Sequence, residues 1–187
     1  MALMVALVLL LSAFSSALAE RMNTLEFCEL YIKRLVDFEE STGMEIQDFG
    51  IGTYPTSIYS DGILLTDCCA GSLTVNTNDL SLDSWCNIFT MKTDDSATGM
   101  QRAVQAAIAI SALEYSETDA VSIRYIEKTT PVEKAFTEIL QPIMSDASLY
   151  QKLRATGRRQ EIYAGKYTYY LEYFDAGEAS MIMILAE

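Results

Sequence analysis

The sequence predicts an α+β fold: a mostly antiparallel sheet of about six or seven strands with three or four helices packed on it. Three observations carry this expectation. Capped stretches with apolar residues every three or four positions stand near 24–41, 96–115 and 130–143. Residues 44–92 switch to alternation broken by turn residues. The chain then closes on two strand-like segments, 160–174 and 179–186, joined by Asp175-Ala176-Gly177-Glu178.

In the first helix, Asn23-Thr24-Leu25-Glu26 resembles a capping box, with a side-chain acceptor and a glutamate three residues on. Leu25, Cys28, Ile32, Leu35 and Phe38 follow at helical steps, and Tyr31 widens that face. Gly43 supplies a left-handed C-cap, which sets the helix at 24–41.

Asp61-Gly62 between Ser57-Ile58-Tyr59 and Ile63-Leu64-Leu65 is a hairpin signal, because both turn residues tolerate positive φ. Ala70-Gly71 marks a second turn before Leu73-Thr74-Val75. Residues 76–84 read as a polar loop. Trp85, Asn87, Phe89 and Met91 then alternate with Cys86, Ile88 and Thr90. The expectation is a meander of about four short strands.

Asp94, Asp95 and Ser96 offer caps for the second helix, striped by Met100, Val104, Ala107, Ile108, Ser111 and Tyr115. Its alanines make it thin, so its backbone can approach a neighbour closely and it is expected to be the most buried helix. Ala120–Ile126 reads as one more alternating strand. Thr130-Pro131-Val132-Glu133 is a capping box with proline at the first helical position. Pro142 should break or kink that helix, and Ser145 or Asp146 can start another that ends at Gly157. Met181–Leu185 is apolar on both faces, so it belongs inside the sheet.

Composition narrows the function. Half of the 187 residues are apolar and 21% are charged, which excludes disorder of the whole chain. The net charge of −13 opposes general binding to nucleic acid or to an anionic membrane. The absence of histidine removes Ser-His-Asp and Cys-His catalysis and imidazole ligation of metals. Ala2–Leu11 is an uninterrupted apolar run, followed by serines and Ala17-Leu18-Ala19 before Glu20. This reads as a secretory signal over residues 1–19, with a single domain at 20–187. An uncleaved membrane anchor is the rival reading of that segment. The expected localisation is secreted or extracytoplasmic, with no membrane contact after cleavage.

The four cysteines are Cys28, Cys68, Cys69 and Cys86. An exported chain with an even count permits two disulfides. Neighbouring Cys68 and Cys69 seek different partners, so Cys28 would take one and Cys86 the other. Free buried thiols are the alternative. Asn76, Asn78, Asp79 and Asp83 share one polar loop but lack the calcium-loop spacing, so no metal and no cofactor is expected. No phosphate-binding loop, dinucleotide fingerprint or nucleophile elbow occurs.

Two concentrations stand out. Lys152, Arg154, Arg158, Arg159 and Lys166 gather five of the 13 bases. They either offset a helix dipole and the acidic remainder or form a docking patch for an acidic partner. Tyr163, Tyr167, Tyr169 and Tyr173 would share one face of one strand, as sheet packing or as a platform for a protein or glycan. The resulting expectation is an exported, non-enzymatic binding domain. Binding residues would be Tyr163, Tyr167, Tyr169, Tyr173, Arg158, Arg159 and Lys166. The alternatives are a carbohydrate-binding module using the tyrosine face, or a hydrolase working through carboxylates or a Ser-Lys pair.

Overall fold

The computed structural model describes residues 22–46, 54–58, 63–68, 71–76, 82–90, 96–175 and 180–186. The first helix, α1, spans Thr24–Thr42. The Asn23 side chain accepts from the Leu25 N–H, and Gly43 closes the helix at φ +69°, its N–H donating to the Glu39 carbonyl. Its inner face is Phe27, Leu30, Tyr31, Arg34 and Leu35. That face is rotated from the expected stripe: Leu25 and Ile32 are exposed, while Cys28 and Phe38 are partly buried against the core.

Four strands follow: β1 (Tyr54–Ile58), β2 (Ile63–Cys68), β3 (Gly71–Asn76) and β4 (Leu82–Thr90). They pair antiparallel in succession. The Asp61-Gly62 turn expected between β1 and β2 lies outside the described residues, as do Asp94 and Asp95.

Helix α2 (Ser96–Glu114) is the centre of the core. Every residue from Ala103 to Glu114 is buried. Its alanines let α1 and the segment after Pro131 pack against it. Ile108, Ile110 and Leu113 supply bulk, each worth about 1.5–3 kcal/mol when fully buried.

Ala120–Ile126, expected as a strand, is instead part of helix α3 (Glu117–Ile126). Ser116 and Asp119 cap each other's backbone in a complete capping box. Within α3 the buried residues, Ala120 and Ile123, are three apart. The apparent alternation is therefore one buried helical row beside exposed hydrophobics.

Helix α4 (Pro131–Ala135) begins with the expected box: Thr130 accepts from the Glu133 N–H and Glu133 accepts from the Thr130 N–H. The helical run does not stop. A π-turn (Phe136–Leu140) leads into α5 (Gln141–Ser145). Pro142 has no N–H to give and its ring crowds the preceding turn. The widened turn, in which the Gln141 N–H reaches back to the Phe136 carbonyl, sits immediately before it. Helix α6 (Ala147–Thr156) follows.

The segment expected as one strand at 160–174 divides into β5 (Gln160–Tyr163) and β6 (Thr168–Asp175), which pair antiparallel. Strand β7 (Ser180–Ala186) runs between β4 and β6, so it is internal.

The predicted fold class is corrected. Among the residues whose side chains are described, 67% are helical and the only strand pair is antiparallel β5–β6. That body is a helical assembly with a two-stranded edge, not three or four helices laid on a six- or seven-stranded sheet. Helices are also more numerous and shorter than expected, because Ser116, Thr130 and the π-turn subdivide the chain. Strands β1–β4 and β7 are described by backbone pairing, Leu82 and Ala186 aside; it gives the order β1-β2-β3-β4-β7-β6-β5. The core is set by helix contacts around α2, to which the strands add Leu82, Tyr169, Leu171 and Ala186. Among the described residues, no helix is long and apolar enough to cross a membrane.

Candidate functional site

The C-terminal end of α2 carries a buried carboxylate. Glu114 is 3% exposed. Its Oε1 accepts from the Tyr169 hydroxyl at 2.6 Å and from the Tyr167 N–H at 3.4 Å, and its Oε2 accepts from the Lys166 N–H at 2.6 Å. The carboxylate thus clamps the β5–β6 connection to the core. Gly165 lies directly over it at φ +147°, and a Cβ there would run into the carboxylate. Only glycine combines that backbone conformation with that approach. Burial first, and then the Glu114 charge and hydrogen bond, push the Tyr169 phenol far above its ordinary range.

Beside the clamp opens a cleft of about 570 Å³. Tyr115, Ile123, Ile126, Ile139 and Ala164 give it apolar walls. Four acids, Glu114, Asp119, Glu127 and Glu138, line it against two bases, Lys134 and Lys166. The excess is negative. Asp119 is held below the usual carboxylate range, first by the Ser116 N–H and hydroxyl, and further by Lys166, whose Nζ lies 3.4 Å away. The Tyr115 phenol is pushed up to about 12, by burial first and then by Glu138, Glu114, Glu127 and Asp119. Across the Tyr115 ring stands the Lys134 ammonium, 5.9 Å from its centroid. It is 2.6 Å from Glu127 and 4.0 Å from Glu138, and Glu127 above all raises its pKa.

A second buried charge braces the junction between α2 and α3. Arg34 is 1% exposed. It donates to the carbonyls of Tyr115 and Ser116 at 3.3 and 3.4 Å and lies 3.8 Å from Glu117. Carbonyls at a helix C-terminus attract a cation, which accounts for its inward position. Burial is the main cause of its lowered pKa.

The residues expected to bind are only partly brought together. Lys166 is at the cleft. Arg159 stacks 3.6 Å over the Tyr170 ring and lies 3.8 Å from Glu172, on the other side of the β5–β6 pair. Arg158 is exposed at the turn after α6, and Lys152 and Arg154 are exposed on α6. The tyrosines do not form one open row. Tyr169 is fully buried, and Tyr167 and Tyr173 pack half-buried against the core. Tyr163 is 76% exposed on β5. The break at 164–167 separates it from the others and turns it to solvent. Of the cysteines, Cys28 packs against the core from α1, and Cys69 lies outside the described residues. Cys68 on β2 and Cys86 on β4 are separated by β3.

Sequence reasoning missed Glu114, Tyr115, Lys134 and Gly165. One signal was present: Ala103, Ala107, Ile110 and Glu114 fall on one helical row, and an acid at the end of an apolar row needs buried donors. Among the described residues no group of three or more acids or cysteines is arranged to hold a metal ion. Comparison with family models, curated proteins and solved structures returned no match.

Proposed function

We propose that this protein is an exported, non-enzymatic binding domain that takes part of a partner protein in the cleft between the α2–α3 corner and the β5–β6 connection. The cleft carries the reading: it is a concave surface that combines apolar walls with charged side chains of both signs, and concave sites of mixed character are where ligands are held. Its carboxylates already have tasks. Glu114 holds a turn, Asp119 caps α3, and Glu127 and Glu138 flank Lys134. Such groups are built to hold shape and charge rather than to shuttle protons. The exported character rests on the apolar run and the Ala17-Leu18-Ala19 pattern before Glu20.

Backbone NMR of the purified protein against peptide and glycan panels tests this. Shifts at Tyr115, Ile126 and Lys166 on adding peptides support it. Glycan-induced shifts centred on Tyr163 and Tyr170 would favour a carbohydrate-binding module. Turnover of any ester, peptide or glycoside in the panel, lost in Glu138→Gln, would replace the binding reading with a hydrolase.

A further inference from the structure

The sequence contains two pairs of adjacent basic residues, Lys33-Arg34 and Arg158-Arg159. An endoprotease with acidic subsites reads such pairs by charge and by the planar guanidinium fork, and it must draw several residues of the chain into an extended line. The fold treats the two pairs oppositely. Lys33-Arg34 lies in the middle of α1, and Arg34 is 1% exposed with its guanidinium on the Tyr115 and Ser116 carbonyls. Arg158-Arg159 lies between α6 and β5. Every residue from Arg154 to Arg159 is exposed, and so is Glu161. Gly157, at φ +59° with open space around it, ends α6 by donating to the Leu153 carbonyl. The bonds that follow are local: the Arg158 N–H donates to the Thr156 hydroxyl, and the Gln160 side-chain amide donates to the Arg158 and Arg159 carbonyls. On the far side, β5 spans only Gln160–Tyr163 and stands at the end of the strand order, paired to β6.

We infer that Arg158-Arg159 is a processing site for an endoprotease specific for paired basic residues, and that the cut protein stays together as two chains. The step is hydrolysis of the Arg159–Gln160 peptide bond: water adds across it, Arg159 gains a carboxylate and Gln160 an amino group. Exposed irregular segments are where proteolysis concentrates, because they open at little cost. Arg159 gives up its stack on Tyr170 and its approach to Glu172, surface contacts that contribute little. Cutting there spares the core. The piece after the cut is held through Glu114, which accepts from Lys166, Tyr167 and Tyr169. It is also held through β7, which pairs with β4 from Trp85↔Ala186 to Thr90↔Met181. The cleft wall at Ala164, Gly165 and Lys166 then belongs to the second chain, so processing leaves the cleft in place. The inference goes beyond the binding reading and takes from it only the exported character, which brings the chain to such enzymes.

The test incubates the purified, folded protein with a subtilisin-like endoprotease specific for paired bases and reads intact masses after denaturation. One new pair of masses should appear, a fragment ending at Arg159 and one beginning at Gln160. Both should co-elute in native size-exclusion chromatography. A synthetic peptide of residues 153–164 should be cut at the same bond. Arg159→Gln should lose the cut with an unchanged circular dichroism spectrum. Arg158→Gln, at an exposed position, should lose it too and supplies the readout if Arg159→Gln misfolds. A folded protein left intact while the peptide is consumed, a peptide that is not cut, or a cut after Arg34 in the folded protein would each overturn the inference. Fragments that separate on the column would overturn the two-chain form. The same mass measurement on protein from its native source separates the two readings. An intact chain outside the cell would overturn processing and leave the export reading standing. A chain cut at Arg159 but found only inside the cell would support processing and remove the export reading.

Discussion

The Tyr169 hydroxyl and the Glu114 carboxylate meet at 2.6 Å, 55 residues apart in the chain and both out of reach of solvent. This bond ties the last turn of the central helix to the start of β6. Tyr169→Phe leaves a buried acceptor short of a donor and should cost about 1–3 kcal/mol. Tyr169→Ala also opens a cavity and should cost about 3–5 kcal/mol. Urea unfolding measures both. A cost for Tyr169→Ala within roughly half a kcal/mol, the range of an ordinary surface substitution, would place the ring at the surface.

Gly165 is the second element of the same clamp. Gly165→Ala combines a disfavoured φ with a collision against Glu114. It should destabilise the protein by more than Gly43→Ala, where φ is also positive but the space is open and the cost is about 1–2 kcal/mol. Paired thermal melts of the two variants give the comparison. Equal melting temperatures would mean that the β5–β6 connection does not approach the carboxylate.

Alkaline pH should act through the buried phenols. Tyr115 and Tyr169 both have raised folded-state pKa values, the former to about 12. The neutral forms are favoured by folding, so this stabilisation is complete below the unfolded value of about 10. It is lost as pH rises through the folded values. Stability should therefore decline above about pH 10, and ultraviolet difference absorbance should show a late-ionising fraction. Tyr115→Phe should remove the part that titrates near 12.

Acid should act at the start of α3. The Asp119 carboxylate is depressed chiefly by the Ser116 N–H and hydroxyl. Its contribution is present above the unfolded value of about 3.9 and is lost as pH falls through the lower folded value. Asp119→Asn should lower stability at neutral pH and leave a shallower decline in acid. Ser116→Ala should cost about 1 kcal/mol, the usual worth of an N-cap. Hydrogen exchange of the Asp119 and Ala120 amides should quicken in both. Unchanged exchange would return residues 120–126 to the strand expected from their alternation.

Much of the local structure was legible because it depends on near neighbours. Asn23 and Gly43 bound the first helix, and Thr130, Pro131 and Glu133 start the fourth, through contacts within four residues. The misreading at Ala120–Ile126 has the same origin. Val121 and Tyr125 are exposed, and taking them with Ile123 as one apolar face made a three-residue period look like two. The site was less legible. Lys166 was singled out as a base, yet its backbone N–H reaches Glu114 and its ammonium reaches Asp119, contacts that link positions far apart in the chain.

The sequence by itself determined the caps at Asn23, Gly43 and Thr130, the thin central helix and the acidic balance, because propensity, periodicity and charge are properties of short stretches or of composition. Tertiary structure alone decided that Arg34 and Glu114 are buried, that Tyr169 faces inward while Tyr163 faces out, and that α2, α3 and the β5–β6 connection enclose a cleft. The physical reason is that a charge goes inside only where distant groups satisfy it. The Glu114 carboxylate depends on a hydroxyl and two backbone N–H groups more than fifty residues away, and the Arg34 guanidinium on carbonyls more than eighty away. No local pattern encodes those distances; packing around α2 does.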